Sequence, residues 1–127
     1  MARLKSMSHA YKGTLTKPAK LGYCTLAWTE RDDDGTGAPV YIRKHHKTYV
    51  FIWRPQSGRL SVSHGGWQSK TTAQRIRHGL NMLGLELLTS DLPGRWRIAT
   101  KHGDAFTMRG NSLTLRRYQL TNTWERV

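Results

Sequence analysis

The segment Lys47-Thr-Tyr-Val-Phe-Ile-Trp-Arg-Pro-Gln-Ser-Gly-Arg-Leu-Ser-Val-Ser63 decides how this chain folds. From Lys47 to Arg54, Val50 and Ile52 fall on one side of an extended strand and Tyr49, Phe51 and Trp53 on the other, because successive strand side chains point to opposite faces. Apolar residues on both sides predict a central strand. Pro55-Gln-Ser-Gly58 has the early Pro and late Gly of a tight turn, and Leu60 and Val62 then alternate on a returning strand. Residues 47 to 63 therefore read as a β-hairpin.

Downstream of Gly65-Gly66 the apolar spacing changes to that of a helix. Ala73, Ile76, Leu80 and Leu83 share a stripe, while Gln74, Arg75, Arg77, His78 and Asn81 lie mostly off it. Thr71 followed by Gln74 matches a capping box, and Gly84 stands where a helix stops. The pattern predicts a helix from about Thr72 to Leu83. Upstream, Val40 to His45 and Leu21 to Trp28 read as strands, the latter closed by a polar loop from Glu30 to Gly37. Beyond the helix, Leu85 to Thr89, Arg95 to Thr100, Ala105 to Met108 and Leu113 to Arg117 read as short strands. The expected architecture is α+β: a small antiparallel sheet of about five to six short strands with one main helix packed on it. Residues 1–20, basic and without an acid, read as a flexible arm, residues 21–117 as a single domain and residues 118–127 as a C-terminal tail.

Charge narrows the function. The 127 residues carry 21 Lys and Arg against 8 Asp and Glu, a formal +13. No acid occurs between Asp34 and Glu86, a stretch holding Arg43, Lys44, Lys47, Arg54, Arg59, Lys70, Arg75 and Arg77. Such an excess repels itself unless a polyanion relieves it, and DNA or RNA is the commonest polyanion. These eight cations are the candidate phosphate contacts. Tyr49 and Trp53, alternating beside Lys47 and Arg54, have the arrangement of a sheet that stacks unpaired bases; the competing reading buries the same rings beneath the helix. His64-Gly-Gly-Trp-Gln-Ser-Lys-Thr-Thr72 joins a strand to a helix N-terminus, so Gly65, Gly66, Ser69, Thr71 and Thr72 form a candidate phosphate-binding turn. The competing reading there is a tight bend with a capping Thr.

Other chemistries find no pattern. Ser69 occupies the position where a nucleotide-hydrolase phosphate loop needs Gly before its Lys-Thr pair. Six histidines, among them His45, His46 and His64, match no metal-ligand spacing, and Asp32, Asp33 and Asp34 lack the spaced ligands of a calcium loop. Cys24 is the only cysteine, which excludes an intrachain disulfide or a Cys-x-x-Cys pair. No catalytic constellation, cofactor or metal is expected. With no membrane-length apolar run and no secretory leader pattern, the expected location is the interior of a cell.

His46-Lys-Thr-Tyr-Val50, Leu60-Ser-Val-Ser-His-Gly-Gly-Trp67, Thr71-Thr72 and Arg75-Ile76, with a later Trp96-Arg97-Ile98, together resemble a group of small uncharacterised bacteriophage proteins. Their pattern runs His-x-Thr-x-Val, a turn, an alternating strand, then Gly-Gly-Trp with a Thr pair and a helix opening on Arg-Ile. The resemblance spans roughly Tyr41 to Leu115, with Ser69 replacing the usual Thr and Arg77 the usual Asn. It implies a phage origin, hence a host cytoplasm, and the same order of elements; it supplies no catalytic residues. The function expected is a nucleic-acid-binding phage accessory protein. The alternative is a phage protein that inhibits a host enzyme or defence complex by direct protein binding.

Overall fold

The computed structural model describes residues 19–22, 25–31, 38–66, 68–91 and 95–127. The first 18 residues of the expected arm, Cys24, Asp32 to Asp34, Trp67 and the Pro93-Gly94 turn lie outside them.

The chain is α+β, with one helix and two antiparallel sheets among the described residues. A meander runs through β1 (Ala19–Gly22), β2 (Thr25–Arg31), β3 (Pro39–His45), β4 (Thr48–Arg54) and β5 (Arg59–Ser63). The chain then leaves the sheet to form helix α1 (Lys70–Met82) and a smaller sheet of β6 (Glu86–Leu88), β7 (Arg97–Ala99) and β8 (Ala105–Thr107). It returns as β9 (Ser112–Tyr118) beside β5 and ends in β10 (Thr123–Arg126), giving the large sheet the order β1-β2-β3-β4-β5-β9-β10.

The expected hairpin is β4–β5, and the expected central position of β4 is observed. Among the described residues there are ten strands where a sheet of about five to six was expected: the short strands read from Leu85 to Met108 form a second sheet, and β1 and β10 carry no strand signal of their own. Two segments differ more sharply. Ala19 and Lys20, assigned to the arm, belong to β1. The expected tail contains β10, whose Trp124 is buried with its ring 5.7 Å from that of Trp53. A lone Trp among polar residues gives no strand signal locally; its partner is supplied by a distant strand.

One core fills the space between the inner face of the large sheet and the layer formed by α1 and the small sheet. Phe51, Trp53, Leu60, Val62, Leu113 and Leu115 from the large sheet meet Ile76 and Leu80 of α1 and Leu87 and Ile98 of the small sheet. Burying each such side chain stabilises the fold by roughly 1.5–3 kcal/mol. The helix sits close because Gly79 faces β4: a Cβ there would overlap the Phe51 ring. Trp96 is buried in the same core and donates its indole N–H to the Ser90 carbonyl at 3.1 Å.

The helix boundaries differ slightly from expectation at one end. Ser69, not Thr71, is the N-cap, in an extended conformation with its hydroxyl accepting the Thr72 N–H at 3.1 Å. At the other end Gly84 adopts φ 73° and stops the helix as expected. The Leu85 N–H returns to the Leu80 carbonyl and the Gly84 N–H to that of Asn81, the paired bonds of a glycine-terminated helix.

Candidate nucleic-acid interface

Strand pleating sorts the cations. In β9, Leu113, Leu115 and Arg117 point to the inner face, so Thr114, Arg116 and Tyr118 point outward. Register then aligns Arg54 with Arg59 across β4–β5, and Arg59 with Arg116 across β5–β9. Three guanidiniums thus stand in line on neighbouring strands, about 10 Å from first to last at the usual strand spacing. Arg59 and Arg116 are exposed and Arg54 half-buried. Like charges placed directly opposite one another destabilise a sheet. The line ends at Glu125, aligned with Arg116, whose carboxylate accepts the Tyr118 hydroxyl. That hydrogen bond holds the Tyr118 phenol in its protonated form, raising its pKa. The Arg116 guanidinium lies 5.1 Å from the centre of the Tyr118 ring.

The other end of this outer face carries Lys44 and Tyr49, paired across β3–β4, with the ammonium 5.2 Å over the ring. Tyr49 is 47% exposed, more than Tyr118 at 38%. Arg54 lies five positions along β4 from Tyr49, a span of up to about 17 Å. Between the two ends lie a small apolar cluster, Val40 and Ile42 buried and Ile52 half-buried, and the hydroxyls of Ser61 and Thr114, 3.5 Å apart.

Several candidates have other surroundings. Arg43, only 2% exposed, lies on the inner face and is no surface contact. Trp53 is 3% exposed, covered by Trp124 and the Arg117 guanidinium, which sits 4.9 Å from the Trp53 ring; it cannot stack a base. The cause of both is the alternation of the strand together with an irregularity in register: Arg43 pairs with Phe51 but Lys44 with Tyr49, leaving Val50 as an extra residue in β4. This bulge turns both Val50 and Phe51 inward and Tyr49 outward. Arg77 donates to the Leu87 carbonyl at 3.2 Å and so belongs to the small-sheet side. Arg75 lies near His45 and His78, where its charge adds to burial in lowering both imidazole pKa values. Lys47 and Lys70 are exposed, at the β3–β4 turn and the helix start. The eight cations therefore divide between the two sides of the large sheet instead of forming one surface. Arg116, absent from the expected set, completes the outer line; its alternation with Leu115 was visible, but the pairing of β9 with β5 was not.

The glycine turn lies on the opposite side. Gly65, at φ 60°, lets the backbone approach the Thr48 side chain, which a Cβ would strike; the close neighbour is protein. Thr71 is exposed, and Thr72 is buried with its hydroxyl 3.0 Å from that of Ser69. His64, 2% exposed, receives the Gly66 N–H on Nδ1 at 3.0 Å, which leaves the proton on Nε2. Burial pushes its pKa down, opposed in part by its own and the Gly110 carbonyl. Among the described residues no three His, Asp or Glu side chains come together as metal ligands, and no helix is long and apolar enough to cross a membrane. No protein-family model, curated protein or solved structure matches the chain.

Proposed function

We propose that this chain binds DNA or RNA through the phosphates, using the outer face of the large sheet, as a bacteriophage accessory protein. The observation that carries the reading is the line of Arg54, Arg59 and Arg116 on adjacent strands. Three guanidiniums in register on adjacent strands, with the Glu125 carboxylate aligned beside Arg116, concentrate positive charge on one face of a chain of +13, and a polyphosphate relieves such an excess. Lys44 extends the cationic face, and Tyr49 offers one ring for stacking an unpaired base, worth about 1–3 kcal/mol. The resemblance to small phage proteins supports the biological setting.

Four phosphate contacts, from Lys44 and the three arginines, give a plot of log affinity against log salt a slope of about −3 to −4. Fluorescence anisotropy of labelled single- and double-stranded DNA and RNA over a salt series measures it. The triple change Arg54→Gln, Arg59→Gln and Arg116→Gln is expected to flatten that slope by about two to three units. Salt-independent binding, or a slope unmoved by the triple change, would remove the basis of the proposal.

A further inference from the structure

The ribbon formed by β9 and β10 turns back at the end of the large sheet where the arginine line lies. The Arg117 N–H donates to the Gly58 carbonyl at 2.7 Å, so the β4–β5 and β9–β10 turns share that end. Arg54 closes β4, Arg59 opens β5 and Arg116 stands two residues before the end of β9. Beyond it residues 118–123 are all exposed and none is charged, in a chain of +13. The shape of the tip is held by its own bonds: Thr123 pairs with Tyr118, the Tyr118 hydroxyl donates to the Glu125 carboxylate, and the Thr121 and Thr123 hydroxyls lie 2.7 Å apart. Asn122, at φ 53°, takes the left-handed conformation that Asn tolerates in a turn. At the crown Leu120 is 103% exposed, as open to water as in an extended peptide.

We infer that Leu120 is a wedge that enters the minor groove of double-stranded DNA and parts one base step, while Arg54, Arg59 and Arg116 hold the flanking phosphates. The inference rests on the nucleic-acid reading of the outer face and narrows the ligand at this end of the sheet. Apolar side chains, leucine among them, unstack neighbouring base pairs and kink a duplex, and the bend brings more of its backbone onto the protein. Asn and Gln accompany such wedges because they hydrogen-bond the base edges in the minor groove, and Gln119 and Asn122 stand in the same turn as Leu120. The distances fit. Four residues of chain carry Leu120 no more than about 14 Å from Arg116, and the arginine line, about 10 Å long, covers about three base steps at about 3.4 Å each. Two other occupants fit less well. A single leucine among amides and hydroxyls buries too little apolar surface to anchor the tip in a bilayer, and duplex RNA offers a wide, shallow minor groove in place of a narrow one.

The test uses the full chain and a short DNA duplex carrying 2-aminopurine at a central TA step, the kind of step that unstacks most readily. That base fluoresces weakly when stacked and brightens when its neighbour is pushed away. Saturating protein is expected to brighten it severalfold. Leu120→Ser should abolish the brightening and weaken duplex binding about tenfold, the worth of one buried leucine side chain, while leaving the salt slope and the thermal midpoint unchanged because the side chain touches only solvent in the free protein. Leu120→Met, which restores an apolar wedge, should recover most of the brightening. The two readings fail separately. Loss of all salt-dependent duplex binding removes the arginine face and the wedge together. Salt-dependent binding without brightening, or brightening that survives in Leu120→Ser, overturns the wedge alone. So does a response confined to the RNA duplex of the same sequence, or Leu120-dependent binding to phosphatidylserine vesicles with the DNA probe left dark.

Discussion

Arg116 and Arg117 are neighbours in β9 and meet opposite surroundings. Arg116 stands on the outer face in line with two other arginines, exposed to solvent. Arg117 turns inward and lies 4.9 Å from the Trp53 ring and 5.8 Å from that of Trp124, its Nε buried without an acceptor and its pKa lowered by burial. The inner arginine is packing material with a charge attached, since guanidinium planes lie well on aromatic faces. The outer one packs against Tyr118 and stands between Arg59 on one neighbouring strand and Glu125 on the other. The same contrast separates buried Arg43 from Lys44 on β3. Charge in a sequence therefore says little about solvation until the face of the strand is known.

The sharpest break in this contrast comes from the inner aromatic layer. Trp53→Ala removes the ring that covers both Trp124 and Arg117, and its expected cost is about 3–5 kcal/mol in urea unfolding. Next is Gly79→Ala, which would raise helix propensity by about 1 kcal/mol on an isolated helix. Against the Phe51 ring the added methyl overpacks the interface, and the net outcome expected is a loss of up to about 2 kcal/mol in the same measurement; a gain in stability would show that α1 rides further from β4 than described. The two β9 arginines test the comparison itself. Arg117→Gln should lower stability by about 1 kcal/mol through lost stacking on the rings, whereas Arg116→Gln should leave it unchanged to within about 0.5 kcal/mol, since relief from Arg59 offsets the lost attraction of Glu125 and the Tyr118 ring. Equal effects from the pair would erase the distinction between the faces.

The smallest expected effect is with pH. His45, His64 and His78 have folded-state pKa values below the ordinary 6.5, with burial the first cause for each. The unfolded chain therefore takes up protons first as pH falls. The stability linked to these groups is fully present above about pH 6.5 and is lost as pH drops from there toward the folded values. Thermal midpoints measured from pH 7.5 down to 5 should decline over that window, and His64→Gln should make the decline shallower. A midpoint that rises on acidification would contradict the burial of His45 and His64.

Much of the framework was legible because its signals are local. The β4–β5 hairpin, the helix stripe and the glycine stop at Gly84 each follow from residues within one or two turns of the chain. The N-cap was misplaced by two residues because Ser69 and Thr71 both offer a capping hydroxyl, and only the backbone conformation selects Ser69. The candidate surface was half legible. Lys44, Arg54, Arg59 and Tyr49 were identified and reach the outer face, but Arg43 and Trp53 were assigned to a surface from which the strand alternation turns them away.

The amino-acid order alone thus settled the strong cationic excess, the alternating and helical segments, and an α+β class, since each depends on composition or on short-range spacing. Tertiary structure decided which cations share a surface. That choice required β9 to return beside β5, a bulge at Val50 to reset the inward face, and α1 with the small sheet to cover the inner side. All three depend on contacts between residues far apart in the chain, where the pleat fixes only that neighbours oppose one another and the covering layer determines which of them meets water.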